Sequence, residues 1–156
     1  IIGCGPRKPL SGVKPNVFYP LDRLNEMLKT SDFLLISAPL TSETENLISK
    51  SQLKKMKASS IIINIARGPI VDEEALYVAC KERIIGGAVI DTWYQYPKTD
   101  KVDTPPSRFD FGQLDNVIMS PHASAWTDAL VRRRTKFIAE NLNRLIQNKQ
   151  LRNIVK

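Results

Sequence analysis

Ile61-Ile62-Ile63-Asn64-Ile65-Ala66-Arg67-Gly68-Pro69 sets four isoleucines in one short run and then breaks it with a cation, a glycine and a proline. A run so apolar and so short, closed by turn residues, reads as a strand over 61–65 with both faces buried. Phe33-Leu34-Leu35-Ile36-Ser37 repeats the pattern and ends before Pro39. Gly87-Ala88-Val89-Ile90-Asp91 repeats it again, and the apolar Val117-Ile118-Met119 places a further strand over 116–119. Helical spacing fills the intervals. Leu21, Leu24 and Leu28 share one side of a short helix over 21–29. Asp72 is a natural N-cap for a helix over 73–81, where Leu76, Ala79 and Cys80 recur on one side. Leu130, Phe137, Ile138, Leu142, Leu145 and Ile146 make one face of a long amphipathic helix over 127–147. Ile1-Ile2-Gly3 reads as the tail of a strand, followed by a loop carrying Pro6, Pro9, Pro15 and Pro20. A polar, proline-bearing loop occupies about 94–113. Strands alternating with helices predict an α/β protein with a doubly wound parallel sheet.

Composition narrows the class. A chain of 156 residues fits one globular unit. Hydrophobic residues make up 42%, with no apolar run near the roughly 20 residues that span a bilayer, so a soluble protein is expected. The net charge of +7 is spread over many segments. Arg132-Arg133-Arg134 is its one tight cluster and reads as a solvated helix face. Nucleic acid is therefore not expected, whereas anionic small molecules suit a positive field. Cys4 and Cys80 make no disulfide framework and no leader opens the chain, which points to the cytoplasm. The first residue is Ile, which reads as a start inside a longer protein.

In parallel α/β sheets ligands bind beyond the carboxyl ends of the strands. Pro39, Arg67, Asp91 and His122 each follow a predicted strand end, so they should share one crevice. His122 is the only histidine, and imidazole is the side chain that titrates nearest neutrality, which makes it a candidate acid/base. A capping or core histidine is the competing reading. Arg67 offers a rigid fork for a carboxylate, against a structural arginine paired with the chain's own acids. Gly3-Cys4-Gly5 fails as a phosphate-binding turn, because Lys8 stands where the third glycine belongs and no helix follows. Gly5-Pro6-Arg7-Lys8 instead reads as the end of a strand with room and charge for a 2′-phosphate, or as a plain basic loop. No metal is expected.

The order and spacing of 31–41, 64–72, 86–91 and 116–122 resemble the D-isomer-specific 2-hydroxyacid dehydrogenases over nearly the whole chain. The resemblance implies the Rossmann-like, NAD(P)-binding domain of an oxidoreductase that passes hydride between a nicotinamide and a small 2-oxo or 2-hydroxy acid. It implies that Arg67 holds the substrate and that His122 is the acid/base. It also implies cofactor contacts at Asp91, Ser124, Ala66 and Pro39; the loop reading of Arg7 and Lys8 as room and charge for a 2′-phosphate favours NADP over NAD. A homodimer is implied for the complete protein, with no membrane partner. Residues 1–148 would then be a partial dinucleotide-binding domain, and 149–156 a tail returning toward a substrate domain.

Two departures from that family stand out. Its catalytic Glu before a proline is replaced by Tyr96 in Asp91-Thr92-Trp93-Tyr94-Gln95-Tyr96-Pro97, leaving Tyr96 or Tyr94 to orient His122. The family's glycine-rich first strand is also missing. In the strand order 3-2-1-4-5-6 that strand is central, so its loss should separate two parts of the sheet and leave the isolated fragment inactive. A noncatalytic dinucleotide-binding partner, similar to the family's corepressors, or an inactive truncated product are the other expectations.

Overall fold

Six strands form two parallel sheets in the computed structural model, which describes residues 1–8, 14–98 and 103–154. Pro9, the 99–102 part of the predicted loop and the closing residues 155–156 lie outside the described residues. Strand β1 (Ile2–Gly5) pairs with β2 (Val17–Pro20). After a 3-10 turn at Leu21–Arg23 and helix α1 (Leu24–Thr30), β3 (Phe33–Ile36) opens the second sheet. Helix α2 (Lys50–Leu53), β4 (Ile61–Asn64), α3 (Glu73–Lys81), β5 (Gly87–Ile90) and β6 (Val117–Met119) follow. The four strands of this sheet run parallel in the order β3-β4-β5-β6. β1 and β3 lie in different sheets, which is the separation expected when no strand runs between them.

The chain divides into two compact units, Ile1–His122 and Ala123–Lys156. In the first, alternate strand residues Leu34, Ile36, Ile62, Ala88 and Ile90 join Leu24, Met27 and Leu28 of α1, Leu53 of α2, and Leu76, Ala79 and Cys80 of α3 in one core. α3 begins as read from the sequence: the Asp72 carboxylate accepts from the Ala75 N–H at 2.7 Å. Such a cap contributes about 1 kcal/mol. In the second unit, α4 (Asp128–Ile146) buries no residue, and Arg132, Arg133 and Arg134 are exposed as expected. The Asn141 side chain exchanges hydrogen bonds with the Arg152 backbone, and Arg152 pairs with Glu140 at 2.9 Å.

Two sequence expectations need correction. β5 is buried or half-buried on both faces, but β3 is not: Phe33 is 69% and Leu35 57% exposed. Their partners Leu34 and Ile36 are buried, because α1, α2 and α3 all contribute to the core on that one side. The proline-rich segment after Gly3 is not all loop. β1 continues to Gly5, and Val17-Phe18-Tyr19 is extended between Pro15 and Pro20, where a strand end can tolerate a proline. α2 is too short to show a period in the sequence; Ser49 and Gln52 open it with a reciprocal capping box.

Candidate active site

Every polar side chain of interest sits where a strand gives way to a turn. At the end of β4, the buried Asn64 accepts from the Ala66 N–H at 3.1 Å and donates to the Arg67 carbonyl at 2.9 Å. Those two bonds shape the turn and leave Arg67 exposed. Its guanidinium donates to the Ala66 carbonyl at 2.6 Å and makes no ion pair among the described residues. Gly68 lets this turn press on the segment after β5. A Cβ at position 68 would lie 2.4 Å from the Trp93 carbonyl oxygen.

Beyond β5, Asp91 is 2% exposed and accepts the Ser120 hydroxyl at 2.7 Å. Its own N–H donates to the Asn64 carbonyl at 3.0 Å. The Trp93 indole N–H donates to the Ser120 carbonyl at 2.8 Å. The ends of three adjacent parallel strands are thus tied together by side chains as well as by the ladder. Trp93 is seated from below by Phe111, 6.2 Å between ring centres and edge-on.

His122 follows β6 with φ of 59°, in the left-handed region that histidine visits more readily than most residues. Its Nδ1 lies 3.0 Å from the Tyr96 hydroxyl oxygen. That oxygen also accepts the Trp93 backbone N–H at 3.0 Å. The structure therefore brings Tyr96, not Tyr94, to the imidazole. Tyr94 is drawn inward, and burial, with the nearby charges of Glu73 and Asp72 adding to it, pushes its phenol pKa well upward.

The other candidates are placed more separately. Pro39 is exposed beyond β3, and its carbonyl accepts the Thr44 hydroxyl at 2.7 Å. Arg7 and Lys8 are exposed beyond β1. Ala66 is buried under the Arg67 turn. Ser124 belongs to the second unit and is exposed. Trp93 and Asn64 were not singled out from the sequence. Their roles rest on main-chain partners that turn geometry alone brings within reach.

The residue types present fit a dinucleotide. A buried carboxylate such as Asp91 has about four acceptor positions and suits an amide N–H as well as a hydroxyl. Arg7 and Lys8, both exposed, would supply cations for a phosphate. Bound there, the group would supply hydride chemistry that side chains lack.

Comparisons with known proteins identify the family and the fold. Residues 2–124 match the family model "D-isomer specific 2-hydroxyacid dehydrogenase, NAD binding domain". The chain is 33% identical over 155 residues to the D-3-phosphoglycerate dehydrogenase of Methanocaldococcus jannaschii, covering 99% of this chain and 28% of that protein. It is 41% identical over 131 residues to the glyoxylate reductase of Thermofilum pendens, covering 83% of this chain and 36% of that protein. A D-isomer specific 2-hydroxyacid dehydrogenase from Xanthobacter autotrophicus Py2, solved with NADPH and MES, superposes with a TM-score of 0.74. That match is at 28% identity over 99% of this chain and 60% of that one. The chain thus spans roughly a third of the length of these two curated relatives. With a Rossmann-like parallel sheet, strand-end polar residues and a family model matching most of its length, the chain belongs to the D-isomer specific 2-hydroxyacid dehydrogenases, as part of their NAD-binding domain.

Proposed function

We propose that the complete protein is an NAD(P)-dependent reductase of small 2-oxo acids, in which Arg67 binds the carboxylate and His122 supplies the proton to the carbonyl oxygen. The observation that carries this reading is the gathering of Arg67, Asp91 and His122 beyond three adjacent parallel strands, β4, β5 and β6. A guanidinium with no ion pair among the described residues and a lone imidazole are the complementary groups for a 2-oxo acid. Asp91, Ala66, Pro39 and Ser124 serve the cofactor. Arg7 and Lys8 favour NADP, because two exposed cations follow β1 where a 2′-phosphate needs them. A homodimer is the proposed assembly of the complete protein.

The test is reduction of glyoxylate or hydroxypyruvate by the full-length protein with NADPH and with NADH. His122→Asn should lower kcat/KM by roughly 10²–10⁴-fold, and Arg67→Ala should lower kcat/KM with a raised KM. Asparagine is the replacement of choice at 122 because it tolerates the left-handed backbone there. Absence of turnover in the full-length protein, or unchanged rates in both variants, would refute the assignment. The chain of 156 residues by itself is proposed to turn over nothing, since β1–β2 and β3–β6 are separate sheets. Titration with NADPH checks this, and micromolar binding with turnover would count against it.

A further inference from the structure

The hydrogen bonds around the Tyr96 hydroxyl decide more than the orientation of His122. A peptide N–H can only donate, so the Trp93 N–H, 3.0 Å away, occupies an acceptor position on the phenol oxygen. A phenol oxygen shares one of its lone pairs with the ring and is a poor acceptor twice over. Its one proton is then left for the contact with His122 Nδ1, also at 3.0 Å. We infer that Tyr96 donates to Nδ1 and so holds neutral His122 as the Nε2–H tautomer, which makes Tyr96 a positioning residue. The partner of one ring nitrogen sets which nitrogen carries the proton.

This inference rests on the reductase reading for its chemical meaning, and it says which nitrogen of His122 offers the substrate a proton. A carboxylate at position 96 could only accept, which would place a proton on Nδ1 and leave Nε2 bare in the neutral ring, the form a base needs to oxidise an alcohol. Tyr96 does the reverse and presents Nε2–H, the form that donates to a carbonyl oxygen. As an oxyanion at the substrate takes the Nε2 proton, Nδ1 can take the phenol proton, and the ring stays neutral. The Trp93 N–H then holds the phenolate oxygen. Tyr96 is 45% exposed, so water can return its proton. One proton leaves Tyr96 and one returns, with the imidazole carrying it between them.

A single histidine makes the tautomer directly readable in this chain. Long-range proton–nitrogen correlation spectra of the histidine-labelled protein, recorded where the ring is neutral, should show one tautomer, protonated at Nε2. Tyr96→Phe should release it toward a mixture of both tautomers, and Tyr96→Glu should move the proton to Nδ1. A native ring protonated at Nδ1, or a spectrum unchanged in Tyr96→Phe, would overturn the inference. A native ring protonated at Nδ1 decides against the inference even if a variant does not fold, and the contrast between Tyr96→Phe and Tyr96→Glu carries the positive case. No cofactor or turnover is needed, so failure of the reductase assignment would appear separately, in the full-length rate measurements.

Discussion

Gly68 shows how much of the site hangs on one missing methyl group. Its absence lets the Arg67 turn lie against the Trp93 and Tyr94 backbone. Gly68→Ala forces a Cβ to within 2.4 Å of a carbonyl oxygen that no rotamer change can remove. Overpacking of this kind costs about 1–3 kcal/mol. Urea unfolding of the variant should show the midpoint falling by that equivalent, whereas an unchanged midpoint would mean that the turn has room to move. Arg67 and His122 were legible in the sequence because each follows a recognisable strand end within a few residues. The choice of Tyr96 over Tyr94 was not. Both lie in the same short loop, and only its path shows which phenol turns outward to Nδ1 and which turns in.

At the scale of elements, residues 107–111 before β6 are held by specific contacts that a polar, proline-bearing composition does not announce. They are anchored on the first turn of α3. Glu73 accepts from the Ser107 hydroxyl and the Arg108 N–H, both at 2.9 Å, and from the Arg108 guanidinium at 2.6 Å. Burial alone would raise the Glu73 carboxyl pKa, but these three donors outweigh it and hold the group below the ordinary glutamate range. Phe109 stacks on Tyr77 at 5.0 Å, and Phe111 supports Trp93. A folded-state value below the unfolded one stabilises the protein above the ordinary range and ceases to do so as acid titrates the folded group. Acid unfolding should therefore show a loss of stability as pH drops below about 4.5. Glu73→Gln should be less stable than the native chain at neutral pH and should lack that part of the acid-side loss. Parallel acid profiles for the two proteins would rule Glu73 out as its source. The helix over 73–81 was readable because Asp72 and its apolar period are local, but the grip of Glu73 on residues more than thirty positions away was not.

Over the whole molecule, apolar side chains outnumber the places that cover them. Phe33, Leu35 and Ile118 remain exposed on the strands, and Val131, Ile138, Leu142, Leu145 and Ile146 on α4. The covered side is close-packed by contrast, with Leu28, Ile70, Val71, Cys80 and Ile85 fully excluded from solvent. Burial, only partly offset by Arg83, pushes the Cys80 thiol up to about 12. Burial also raises Cys4, which is only partly covered. A thiolate-selective reagent at pH 8 should therefore modify Cys4 first and reach Cys80 at the rate of core opening, since the thiolate is the nucleophile. Adding denaturant below the unfolding midpoint should accelerate the second phase alone. Rapid modification of both thiols in the native chain would show that the core is open.

The alternation of apolar runs with helical periods determined the parallel α/β class, and the residues at the run ends located Arg67, Asp91 and His122. Those signals are local, carried by side-chain period and turn chemistry over a few positions. Which face of each strand is covered depends on where the helices of the first unit pack, and a fully apolar run carries no alternation to say so. β2 escaped notice because its three apolar residues stand between prolines and gain their regular structure from pairing with β1. The hydrogen-bonded set of Trp93, Tyr96 and His122 joins loops that follow different strands. Only the tertiary structure could decide it, because a hydrogen bond is made over about 3 Å in space, whatever the distance along the chain.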